Sequence, residues 1–234
     1  MIDLYFWPTP NGYKATIMLE EVGLAYSVKP IDITAGDQFA RDFLAISPNN
    51  KIPAIVDLDG PGNRPISVFE SGAILLYLAE KTERLIPSDP RARIEMMEWL
   101  MFQMGGFGPM LGQAHHFRVY APEKIDYAFK RYTDEATRLY QVLNTRLDGR
   151  DYLAGDYSIA DIATFTWVRP RKMQGQDLAD YPNIQRWYDA VKTRPAVRAG
   201  LSVMSEAKKW EAKPGTEAWA SMFGNSGKPA RDGE

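Results

Sequence analysis

Over the first third of the chain, apolar positions come in short runs and alternations. Beyond it they recur at helical spacing. Ile2, Leu4, Tyr5, Phe6 and Trp7 form a compact apolar stretch that ends at Pro8, which predicts a strand by its length and aromatic content. From Asn11 the run GYKATIMLEEVGL carries a helical pattern, with Gly23 where a helix stop is expected. Tyr26–Ile31 alternates and predicts a second strand. Ala54–Leu58 and Ile66–Phe69 flank Asp59-Gly60-Pro61-Gly62-Asn63, a turn signature between two further strands. Ser71–Lys81 then reads as a helix with a continuous apolar face of Ile74, Leu75, Tyr77 and Leu78.

This order, β-α-β-(α)-β-β-α, matches a thioredoxin-like α/β unit. Ile86-Pro87-Ser88-Asp89-Pro90 then places two prolines and a Ser-Asp capping signal in five residues, a natural boundary. After it, strand signals disappear. Helical periodicity runs from Arg91 to about Arg118, over Pro122–Leu147, and through 158–170, 182–193 and 195–209. Gly105-Gly106 and Gly108-Pro109 predict a kink or break within the first of these. The expected organisation is thus a thioredoxin-like domain over 1–84, a linker over 85–90, an all-α domain over 91–210 and a tail over 211–234. The tail is rich in Gly, Pro, Ser and charge and reads as frayed, although Trp219 and Phe223 are unusual in a tail with no docking site.

Composition narrows the chemistry. The 234 residues are 45% hydrophobic and 25% charged, a length and balance that support a sizeable core. Lys and Arg number 28 against 30 Asp and Glu, a net charge of −2, which gives no electrostatic reason to propose nucleic acid or an anionic membrane as partner. No apolar run is long enough to span a bilayer, and the start lacks the basic region of a signal peptide, so the cytoplasm is the expected location. The chain contains no cysteine at all. Structural disulfides, Cys-ligated zinc, iron–sulfur clusters and a protein thiol nucleophile are excluded together. Any sulfur chemistry has to use a thiol carried by a bound molecule.

Three short segments could carry such chemistry. Pro53, in Asn50-Lys51-Ile52-Pro53-Ala54, stands at a strand entrance. It is either an ordinary first-position proline or a cis bond, and a cis bond would leave the Ile52 backbone ready to pair with a peptide-like ligand. Glu70-Ser71 follows a strand and opens a helix. Ser71 is expected as the N-cap, beside helix-start N–H groups that suit a carboxylate, while Glu70 could take an α-ammonium. Pro8-Thr9-Pro10-Asn11-Gly12 joins the first strand to the first helix. There Thr9, Asn11 and the helix-start N–H groups could donate to a thiolate and lower its pKa. Each segment alone also reads as plain turn or cap chemistry, but in a thioredoxin-like order all three lie along one sheet edge. His115-His116 are adjacent and about 100° apart on a helix, which argues against a metal pair. Met96, Met97, Met101, Met104 and Met110 read as core filling, or else as a plastic acceptor pocket.

The combination of Thr9-Pro10-Asn11, Asn50-Lys51-Ile52-Pro53-Ala54 and Phe69–Leu78 resembles the glutathione-binding half of the glutathione transferases. Asp156-Tyr157-Ser158-Ile159-Ala160-Asp161 adds a capping-box signature, with Tyr157 placed to staple to Ile162, that is similar to the buried helix of the family's all-α domain. Thr-Pro-Asn-Gly, Ser47–Pro53 and GGFGPMLGQAHHF over Gly105–Phe117 resemble the nu class, the bacterial members similar to the fungal nitrogen regulators. That resemblance implies a glutathione-dependent disulfide-bond oxidoreductase with weak transferase or peroxidase activity, in which the reacting sulfurs belong to bound glutathione. A conventional conjugating transferase and a non-catalytic binding module are the rival readings. It also implies a homodimer and a small-molecule disulfide or electrophile as second substrate; no motif supports a bound metal or nucleotide. Site residues carried over are Thr9 and Asn11 at the sulfur and the Ile52 backbone at the cysteinyl unit, beside Pro53. Glu70 and Ser71 would hold the γ-glutamyl head, and Gln38 and Lys51 the remaining polar groups and the glycyl carboxylate; Arg131 reads either as a partner for a carboxylate of a second glutathione or as a solvated helix-face charge.

Overall fold

The computed structural model describes residues 1–207 and 212–224. They fall into two compact units, Met1–Leu78 with the described part of Ala199–Glu234, and Ala79–Arg198.

The first unit is built on strands β1 (Ile2–Phe6), β2 (Tyr26–Pro30), β3 (Ala54–Gly60) and β4 (Arg64–Phe69), in the sheet order β2-β1-β3-β4. β1 runs parallel to β2 and antiparallel to β3, and β3 is antiparallel to β4. Helix α1 (Pro10–Val22) makes the crossover between the parallel pair, as a parallel connection requires. Gly23 ends it in the left-handed conformation, its N–H donating to the Leu19 carbonyl, as the sequence predicts. A 3-10 turn at Asp37–Phe39 and α2 (Arg41–Ile46) lead to β3. Their shortness explains why the pattern only hinted at a helix here. Helix α3 (Ser71–Thr82) closes the motif with Ile74, Leu75 and Leu78 fully buried.

The second unit is helical. α4 (Pro90–Phe102) opens with Asp89 as N-cap, its carboxylate accepting from Ala92 N at 2.9 Å. The expected glycine break takes the form of a π turn at Gln103–Phe107, followed by α5 (Gly108–His115) and a second π turn at His116–Tyr120. α6 (Asp126–Arg146), α7 (Ile159–Val168) and α8 (Pro182–Thr193) complete the unit, with α7 packed against α4, α5 and α8. At its start Ser158 and Asp161 form the expected capping box in both directions. Asp161 is fully buried and accepts from Leu153 N at 3.0 Å, Ser158 N at 3.0 Å, Ser158 Oγ at 3.3 Å and Trp187 Nε1 at 2.9 Å. Burial pushes its carboxyl up to about 6, against the pull of these donors. Met96 is core, Met101 is half exposed, and Met110 lines a surface cavity. His115 is held down to about 4 by burial and by His116.

Helix α9 (Pro195–Ser202) is shorter than the periodicity over 195–209 suggests, and residues 208–209 lie outside those described. The described part of the tail departs from its frayed reading. Thr216 caps α10 (Glu217–Trp219), a π turn continues over Ala220–Gly224, and the Trp219 and Phe223 rings lie 5.9 Å apart. Ser221 is buried and its carbonyl accepts from Gln38 Nε2 at 3.1 Å. The two aromatics were the signal for such docking. The same frayed reading for residues 225–234 lies outside the described residues.

Candidate functional site

The turn between β1 and α1 follows from three residue types. Pro10 fills the first helical position, where its missing N–H costs nothing. Thr9 is the N-cap and its Oγ1 accepts from Gly12 N at 3.1 Å. Gly12 is required because a Cβ there would stand 2.2 Å from the Trp7 carbonyl. The first-turn donors are therefore fewer than the sequence suggests, since Pro10 has none and that of Gly12 is taken. The Thr9 hydroxyl accepts through its oxygen in this cap, which leaves its own hydrogen to be donated. Asn11 follows it, half-buried.

The Ile52–Pro53 bond is cis, which decides between the two readings of that proline, and β3 starts directly after it at Ala54. Before it, Ser47 Oγ donates to the Lys51 carbonyl at 2.8 Å, and Asn50 has a left-handed backbone with φ 49°. Lys51 is exposed and Ile52 half-buried.

At the third segment one expectation is corrected. Ser71 is not the N-cap: the Glu70 carbonyl accepts the first helical bond, from Ile74 N at 2.9 Å, so Glu70 occupies the cap and Ser71 the first helical position. Glu70 sits at φ 70°, a left-handed conformation that a non-glycine residue adopts at a cost and that clusters at functional sites. Its exposed carboxylate accepts from Asn49 Nδ2 at 3.4 Å. Ser71 is buried and its Oγ accepts from Lys14 Nζ at 3.3 Å. Lys14 is the residue that sequence reasoning missed. In the run GYKATIM it looks like the solvent side of an amphipathic helix, yet it is 1% exposed. Burial pushes its ammonium down to about 7, with Glu70 pulling the other way.

Gln38 is buried. Its Nε2 donates to the Ile33 carbonyl at 3.3 Å and to the Ser221 carbonyl, and its Oε1 is buried with no partner among the described residues. The structure thus places Thr9, Asn11, Gln38, Lys51, Ile52, Pro53, Glu70 and Ser71 in the first unit. Arg131 belongs to the second unit, exposed on α6, where it lines a cavity of about 470 Å³ with Met110, Tyr127, Tyr132 and Arg138. Among the described residues no group of three or more His, Cys, Asp or Glu side chains could hold a metal. No helix among them is long and apolar enough to cross a membrane.

Comparison with known proteins matches segments of both units. The glutathione S-transferase N-terminal domain model matches residues 1–80 and the C-terminal domain model matches 107–195. The chain is 53% identical over 203 residues to the disulfide-bond oxidoreductase YfcG of Escherichia coli, covering 86% of this chain and 94% of that protein. This chain belongs to the glutathione S-transferase family. Its fold is that of the family, a thioredoxin-like unit followed by helices, and the relatives are consistent with a nu-class-like bacterial member. Among solved structures, a glutathione transferase from Pseudomonas putida with one glutathione disulfide bound per subunit is 45% identical with a TM-score of 0.83. The match covers 87% of this chain and 91% of that one. A Burkholderia graminis transferase with two glutathione molecules per subunit is 47% identical, also with a TM-score of 0.83, over 87% and 88% of the two chains.

Proposed function

We propose that this family member is a glutathione-dependent disulfide-bond oxidoreductase. The observation that carries the reading is the 53% identity, over nearly the whole of both chains, to a protein named for that activity. The absence of cysteine agrees with it, because both reacting sulfurs then come from glutathione. One glutathione thiolate, with Thr9 and Asn11 as donors at the start of α1, attacks a substrate disulfide. A mixed disulfide forms as one substrate thiolate leaves and takes a proton. A second glutathione thiolate attacks the mixed disulfide, releasing the other substrate thiol and forming glutathione disulfide. The protein contributes proximity, orientation and a lowered thiol pKa.

In this reading Glu70 takes the α-ammonium and Ser71 the α-carboxylate of the γ-glutamyl head. Ile52, beside Pro53, offers its backbone to the cysteinyl unit, and Gln38 and Lys51 serve the remaining polar groups. Gln38 is buried, and its Oε1 has no donor among the described residues. Arg131 serves a carboxylate of the second glutathione, supported by its place in the cavity on α6. We assign the protein to the cytoplasm as a homodimer, with domains over 1–84 and 91–210. The test is steady-state turnover of a model dialkyl disulfide against a chlorodinitroarene with glutathione. Disulfide reduction is expected to dominate, and faster conjugation would favour the conventional transferase.

A further inference from the structure

Lys14 has no part in the chemistry above, yet its position is costly. It lies on the first turns of α1 among Ala15, Ile17 and Met18, all buried, where a methionine of similar length would pack without desolvating a charge. An ammonium held in such a place needs anionic or polar company. Its company includes Ser71, whose oxygen accepts from it at 3.3 Å, and Glu70, whose charge acts on it. These are the two consecutive residues that open α3.

We propose that Lys14 is a positioning residue for the γ-glutamyl head of glutathione, acting through Ser71 and balancing Glu70. This rests on the reading of Glu70 and Ser71 given above. A serine oxygen that accepts from an ammonium is polarised to donate its own hydrogen more strongly, and that hydrogen is what an α-carboxylate requires. The charges also close. In its protonated form, which an anionic α-carboxylate beside Ser71 favours, Lys14 contributes +1 against the −1 of Glu70, so a zwitterionic head enters a neutral site. Without Lys14 the site carries the Glu70 charge uncompensated, and the incoming α-carboxylate is repelled.

The test is calorimetric titration with S-methylglutathione, which keeps the head group and has no thiol to ionise. It uses the full-length protein, Lys14→Met, Ser71→Ala and the double variant, with the thermal midpoint of each. Lys14→Met is expected to weaken binding about tenfold or more while its midpoint stays level or rises, which a purely structural lysine would not do. The double variant is expected to bind no more weakly than the weaker single variant, because both changes disable one interaction. Lys14→Gln, which keeps a donor and drops the charge, is expected to fall between wild type and Lys14→Met. It supplies the comparison if the methionine variant does not fold. Wild-type affinity in Lys14→Met or Lys14→Gln, or losses that multiply in the double variant, would overturn the proposal and leave the glutathione site standing. Failure of the wild-type protein to bind S-methylglutathione would overturn the site reading itself, and the proposal with it.

Discussion

Two buried ionisable side chains, Asp161 in the helical unit and Lys14 in the sheet unit, sit in contrasting settings. Asp161 lies at the start of α7 with its oxygens met by Leu153, Ser158 and Trp187, all from its own unit. Lys14 faces Ser71, which opens α3 beside an exposed Glu70 in a left-handed backbone. The same physical device, a buried ionisable group tied to a helix start, serves the fold in one unit and, in the other, stands behind the segment proposed to hold the γ-glutamyl head. The difference lies in where the neighbouring groups lead. Around Asp161 they lead back into the core, with Trp187 fully buried. Around Lys14 they lead to an exposed carboxylate.

The largest expected effect is on the closed side of this contrast. Asp161→Ala strands the Trp187, Leu153 and Ser158 donors in a buried space and should destabilise the protein by about 3–5 kcal/mol in chemical denaturation. A loss below about 1 kcal/mol would mean that water or a rearranged loop satisfies those donors. On the open side, Thr9→Ala should slow disulfide turnover roughly tenfold to a hundredfold with glutathione affinity little changed, while Thr9→Ser restores it. Because Thr9 also caps α1, the alanine variant should lose about 1 kcal/mol of stability as well. An unchanged rate would assign thiolate stabilisation to backbone N–H groups alone.

A pH series sharpens the comparison. The Lys14 ammonium is held near 7 in the folded protein against its ordinary value of 10.5, so the unfolded chain binds the extra proton between those values. Stability contributed by this group therefore rises as pH increases from about 7 towards 10.5, and Lys14→Met should flatten that rise. The smallest effect belongs to the surface. Arg138 and Glu135 pair at 2.7 Å, yet Arg138 is exposed, and Arg138→Ala should change stability by less than about 0.5 kcal/mol.

Most of the fold was legible because local signals and tertiary packing agree. Gly23 terminates α1, Asp89 caps α4, and the Ser158–Asp161 box starts α7 where the spacing demands. The backbone form of the candidate segments was legible in part for the same reason, since Thr9 caps α1 where its type suggests. Three features were harder to read. Ser71 looked like an N-cap, but the left-handed Glu70 moves the helix start by one residue, and no residue type signals that. The docking of Gln38 on Ser221 spans 183 positions, so no local pattern could give it. Lys14 was invisible because a charged residue within an amphipathic run looks solvated. Only the packing of α1 shows it to be enclosed.

The central claim is that glutathione itself supplies both reacting sulfurs in a cysteine-free site. Calorimetric titration of the purified protein with reduced glutathione and with glutathione disulfide tests this most directly. The account predicts that each subunit binds one glutathione disulfide or two reduced molecules. One reduced molecule per subunit with no binding of the disulfide would contradict it and point to conjugation.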